Sequence, residues 1–115
     1  MAFVLQQSPT YSWPVRILIP TDGRREQFTF TARFNRLKQS RIKELVAISQ
    51  SEDESISDLQ LLGEILGGWD DVMDDAGKPV AFSKVALEQM AELPTVAGQI
   101  ATAYFESLTE AKRKN

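Results

Sequence analysis

At 115 residues, 43% of them apolar and 25% charged, the chain has room for one domain and one core and carries a net charge of −3. It contains neither cysteine nor histidine, which excludes disulfides, thiolate nucleophiles and imidazole proton shuttles or metal ligands. No stretch reaches the roughly 20 apolar residues of a membrane span, and MAFVLQQSP has no basic residue ahead of its short apolar run; neither a membrane helix nor a secretory signal is expected, and the cytoplasm is the default compartment.

Residues 1–13 lack periodicity and read as a loose arm, with Tyr11 and Trp13 free to dock on the body. A single domain is expected over 14–115, with a hairpin at 14–35 and a helical part at 36–115. Val15, Ile17 and Ile19 alternate with Arg16 and Leu18 in a short strand that should stop at Pro20. Thr21-Asp22-Gly23 is turn chemistry, since Asp and Gly tolerate left-handed backbone angles. Phe28, Phe30, Ala32 and Phe34 then alternate with Thr29, Thr31, Arg33 and Asn35, the cleanest strand pattern in the chain. A hairpin alone is marginal in water, so its aromatic face must lie on helices or on a partner.

The period then changes. Leu37, Ile42, Leu45, Val46 and Ile48 suit a helix that ends in the polar run 49–54. Ser55 or Ser57 can cap the next, which should reach Leu66 and stop at Gly67-Gly68. From Gly67 to Ser83 runs GGWDDVMDDAGKPVAFS, an acidic connector with one large aromatic. Ser83 precedes a helix that should end at Leu93 before Pro94. Thr95 opens the last helix, with Val96, Ile100, Ala103, Tyr104, Leu108 and Ala111 on one stripe and Ala97, Ala101 and Phe105 widening it. The fold class is α+β: an N-terminal β-hairpin followed by about four helices.

Charge is segregated along the chain. Residues 1–43 carry eight Lys/Arg against Asp22 and Glu26, a net +6, whereas residues 44–92 carry twelve Asp/Glu against Lys78 and Lys84, a net −10. Such a pattern can steer a weak head-to-tail homo-oligomer.

The aspartates Asp70, Asp71, Asp74 and Asp75 fail the EF-hand template: with Gly77 at position six, Val72 falls first and Ser83 twelfth. Asp70 or Asp71 is instead expected to cap a turn at the Trp69 corner, with the others solvated. No phosphate-loop pattern surrounds Gly67-Gly68. Arg33, Arg36, Lys38, Arg41 and Lys43 form a basic stretch, but the acidic total and the lack of a helix-turn-helix pattern weigh against nucleic acid. No nucleophile, base and orienting group stand together, so no catalytic residue, cofactor or metal site is expected and the chain is not read as an enzyme. Trp69 is expected to plug the core with its N–H on a carbonyl, the alternative being a partner anchor.

Gly68-Trp69-Asp70, then Asp74-Asp75-Ala76-Gly77-Lys78-Pro79-Val80-Ala81-Phe82-Ser83, resembles a layout in small phage tail assembly chaperones: a glycine-tryptophan turn, an acidic D-x-x-G stretch, a proline and a V-x-F-S segment opening a helix. Leu87, Leu93, Pro94, Val96, Ile100 and Tyr104 extend the resemblance, and VRILIPTDGRREQFTFTARF is similar to the opening of several members; residues 1–13 have no counterpart. The resemblance implies a non-enzymatic phage or prophage protein that coats the tape measure protein, keeps it soluble and recruits tail tube subunits. Its rivals are a structural tail or head-tail component and a small nucleic-acid-binding regulator. The expected partner-binding residues are Phe28, Phe30, Phe34, Trp69, Tyr104 and Phe105, with Tyr104 and Phe105 beside a groove for a client helix.

Overall fold

The structure, a computed structural model, describes residues 1–109. Strands β1 (Thr10–Thr21) and β2 (Arg24–Asn35) form an antiparallel hairpin whose pairing runs from Thr10 with Asn35 to Thr21 with Arg24. The loop is Asp22-Gly23, with φ of 48° and 83°. Two successive positive φ angles are the signature of the turn whose twist matches that of the strands it joins.

Residues directly opposite each other in a sheet share a face. Val15 with Phe30, Trp13 with Ala32 and Tyr11 with Phe34 therefore line one side of the hairpin, and Arg16 with Thr29 and Ser12 with Arg33 line the other. The apolar side is covered by helices α2 (Asp58–Ile65), α3 (Lys84–Glu92) and α4 (Val96–Ser107). Leu62, Ile65, Ile100 and Tyr104 from the helices meet Val15, Ala32 and Phe34 from the sheet, all of them fully buried. The result is a two-layer α+β domain with one solvated sheet face. Helix α1 (Gln39–Ser49) buries only Leu45 and is tied to α2 by Arg41, whose guanidinium makes two hydrogen bonds to Glu64, one of them 2.9 Å long.

Three expectations are corrected. The strand does not begin at Val15 or stop at Pro20 but runs from Thr10 to Thr21, so the loose arm ends at Pro9. Pro9 accepts from the Arg36 N–H at 2.9 Å, which places the outward-facing backbone of β1 at its even-numbered residues. Pro14 and Pro20 both fall there, where no ladder hydrogen bond is lost. Secondly, Leu66–Asp70 is a third strand, β3, pairing with β2 in the order β1-β2-β3, so the region after residue 36 is not wholly helical.

The glycine pair serves this strand rather than a helix stop. The register shifts between Arg33 and Phe34, leaving Gly67 as the extra residue of a bulge. A Cβ on Gly67 would lie 2.6 Å from the Asn35 Oδ1, and one on Gly68 would lie 3.3 Å from the Arg33 Cδ. Thirdly, Asp70 caps no turn. It pairs across the solvated face with Arg33, whose Nη2 donates to both carboxylate oxygens at 2.8 and 2.9 Å.

The helix starts follow the sequence closely. Ser57 and Gln60 form a reciprocal capping box on α2, and the Ser83 hydroxyl accepts from the Ala86 N–H at 3.1 Å. Ala111 and the Lys112-Arg113-Lys114 cluster lie outside the described residues.

Candidate functional site

Strand β3 is five residues long and ends opposite Thr31, so the half of β2 nearer the turn has no third-strand neighbour. Helix α3 ends before Leu93-Pro94, and α4 starts at Val96 after Thr95, which holds an unusual left-handed φ of 68°. Between the hairpin tip and this α3–α4 corner the helix layer is incomplete, and the segment after β3 fills only part of the gap. That segment doubles back on itself: the Val80 N–H bonds to the Val72 carbonyl at 2.7 Å and the Asp74 N–H to that of Lys78 at 2.9 Å. The Asp74 Oδ1 closes the turn by accepting from the N–H groups of Ala76 and Lys78, both at 2.9 Å.

What remains is an apolar groove of about 430 Å³, floored by Ile17, Phe30 and Val96 and walled by Phe28, Met73 and Leu93. A second lobe of about 300 Å³ shares Met73, Met90 and Leu93 and runs on to Trp69. Phe28, Met73 and Leu93 are large apolar side chains left 47%, 51% and 47% exposed. Three such groups around one concavity form a patch rather than scattered exposure. The charged residues in the lining are Asp71 and Asp74, so the rim of the groove is acidic.

Trp69 closes the inner end. It is 6% exposed, its indole N–H donates to the Val80 carbonyl at 2.8 Å, and it meets Phe82 and Phe30 edge-on at 5.0 and 6.5 Å between ring centroids. The indole therefore holds the acidic segment against the sheet.

The six sequence-predicted binding residues separate into two groups. Phe28, Phe30 and Trp69 come together at the groove, but only Phe28 presents substantial surface. Phe34, Tyr104 and Phe105 lie at the far end of the core in a chain of edge-on rings with Tyr11, spaced 5.0–5.8 Å. Phe34 and Tyr104 are fully buried, and the Tyr104 hydroxyl donates to the Asn35 carbonyl at 3.1 Å. The Tyr11 hydroxyl shares a 2.6 Å hydrogen bond with Ser107. Burial pushes both phenols above the usual tyrosine range. Phe105 is half-buried beside Tyr104, so the inner face of the last helix is core, and the groove lined by Phe28 lies at the other end of the sheet.

Met73, Met90 and Leu93, which line this groove, are not among the residues the sequence offers for a partner. The available signal was Met73 itself, an apolar residue within DVMDD that belongs to no helical or strand period, and Leu93 directly before a proline.

Among the described residues no charged side chain is buried, the buried Tyr104 phenol and Trp69 indole are both hydrogen-bonded, and no group of three acidic residues could hold a metal ion. The described residues thus form a two-layer α+β scaffold that carries an apolar, acid-rimmed cleft. No curated protein and no solved structure matches the chain. A family model for phage tail assembly chaperones matches residues 1–115, and the chain belongs to that family.

Proposed function

We propose that this chaperone acts by binding alone, holding an amphipathic segment of the tape measure protein in the Phe28–Met73–Leu93 groove while tail tube subunits are recruited. The observation that carries this reading is the exposed apolar groove with Asp71 and Asp74 on its rim. A client helix with an apolar stripe would remove these side chains from water, and basic residues flanking the stripe would meet the aspartates. Met73 and Met90 suit a client whose sequence varies along its length, because an unbranched thioether repacks readily. The nucleic-acid reading loses support, since Arg33 is paired with Asp70, Arg41 with Glu64 and Glu44, and Arg36 lies over the Tyr11 ring at 4.8 Å.

Co-expression with a tape measure fragment tests the proposal. Wild-type protein should keep the fragment soluble, whereas Met73→Asp and Leu93→Asp should lose it while melting at the wild-type temperature. Full client solubility with both variants would place the client elsewhere. Mature virions should lack the protein; its retention there would favour a structural tail component.

A further inference from the structure

The outer edge of β1 is open where it passes helix α4. The strand pairs with β2 on one side only, and its even-numbered residues turn their backbone groups outward. Among the described residues nothing meets the N–H and carbonyl of Ser12 and of Arg16, or the carbonyl of Pro14. A cleft of about 690 Å³ runs between this stretch and α4, lined by Trp13, Pro14 and Arg16 on the strand and by Gly98, Gln99 and Thr102 on the helix. We propose that an extended segment of another protein adds here as a fourth strand, hydrogen-bonded to Ser12, Pro14 and Arg16 and carrying a carboxylate opposite Arg16.

The chain already holds a fragment of such a partner. At Leu18, the next outward-facing position, the N–H donates to the Gln99 Oε1 and the carbonyl accepts from the Gln99 Nε2. This pair of bonds is what a neighbouring strand would make, supplied here by a side-chain amide. The same amide ends the open stretch, which runs from Ser12 to Arg16 over about 14 Å. A helix cannot satisfy this edge, because its own ladder uses its backbone groups, whereas an extended chain offers a donor and an acceptor at every second residue. Pro14 lacks only the donor, so it costs an added strand a single bond and leaves the ladder continuous.

Charge places the acidic residue of the partner. Residues opposite Ser12, Pro14 and Arg16 share the solvated face with them, and those opposite Trp13 and Val15 turn toward α4. Arg16 is exposed and makes no ion pair among the described residues, so a carboxylate opposite it is favoured. Glu106 lines the opposite end of the cleft, one residue before Ser107, which bonds to Tyr11. A carboxylate is disfavoured there, which fixes the acidic residue at the Arg16 end.

The cleft shares no lining residue with the Phe28–Met73–Leu93 groove, so the strand site stands whether or not that groove holds a client.

The probe is a synthetic nonapeptide in which valine alternates with threonine and one central threonine is replaced by aspartate. Titrated into the isotope-labelled full-length protein, it should shift the amide signals of Ser12, Arg16 and Gly98 saturably and protect the Ser12 and Arg16 amides from exchange. Methylating the backbone nitrogens of the peptide's threonines and aspartate should abolish both effects, and methylating those of its valines should not. Pro14→Thr restores the missing donor and should tighten binding about 2- to 10-fold. Gly98→Leu, at a site where a Cβ meets nothing within 4 Å, should fold normally and block the cleft. Arg16→Glu should prefer a peptide with lysine in place of the aspartate. Met73→Asp should bind the peptide as wild type does, which separates this contact from the client groove. No amide shifts with wild type, equal binding of the two methylated peptides, or unchanged affinity in Pro14→Thr and Gly98→Leu would overturn the proposal. So would protection of the Ser12 and Arg16 amides that rises with protein concentration alone, because the edge would then pair with a second copy.

Discussion

Trp69 shows how one side chain joins fold to site. Its indole spans the gap between the short third strand and the acidic segment, with a hydrogen bond on one edge and two aromatic rings on its faces and rim. Trp69→Ala should cost about 3–5 kcal/mol, because the emptied volume lies between elements that cannot collapse together freely. Urea unfolding should show a lower midpoint with a similar slope; an unchanged midpoint would mean that the segment is held without the indole. The glycines beside it teach a different lesson. Gly67 and Gly68 read as a helix stop in sequence, yet what they satisfy is the close approach of β3 to Asn35 and to the stem of Arg33. No local pattern announces that requirement, since it comes from a strand more than thirty residues earlier.

At the scale of elements, β1 is a twelve-residue edge strand, long enough to recruit another chain. Pro14 and Pro20 blunt it at two outward-facing positions, and Gln99 of α4 guards a third. The Leu18 N–H donates to the Gln99 Oε1 at 2.8 Å, and the Gln99 Nε2 donates to the Leu18 carbonyl at 2.9 Å, so one side-chain amide stands in for a neighbouring strand. Gln99→Ala should lower stability by only about 0.5–1.5 kcal/mol, because water can replace the amide at an exposed site. Its larger effect should appear as faster aggregation on warming, measured by light scattering. Unchanged aggregation would show that the two prolines protect the edge unaided. This element was half legible beforehand: the alternation of Val15, Ile17 and Ile19 marked a strand, but Pro20 hid its end and Tyr11 and Trp13 its beginning, because an outward-facing proline cannot be told in sequence from a terminating one.

Across the whole molecule, α1 is the least secured helix, and acid should release it first. The Arg41 guanidinium hydrogen-bonded to Glu64 holds that carboxyl below the usual carboxylate range, so the folded protein binds its proton less readily than the unfolded chain. The contribution of this pair is therefore fully present above the ordinary carboxylate range and is lost as pH falls through the lowered folded value. Amide exchange in α1, corrected for intrinsic rates, should lose protection in that acidic window before the sheet does. Glu64→Gln should already show low protection of α1 at neutral pH, with little further change on acidification. Equal pH dependence in the two proteins would assign the acid response to other groups.

Sequence alone determined the features that depend on near neighbours: the β-hairpin and its Asp22-Gly23 turn, the cap at Ser83, a serine cap on α2 at Ser55 or Ser57, and the segregation of charge along the chain. These follow from backbone preferences and periodicities that span a few residues. The tertiary structure decided that the glycine pair belongs to a third strand, that Tyr104 and Phe34 are sealed inside the core, and that Phe28, Met73 and Leu93 meet around one groove. Those three residues come from a strand, a turn and a helix end separated by up to sixty-five positions. Their convergence arises because β3 is too short, and α3 ends too soon, to cover the tip of the hairpin.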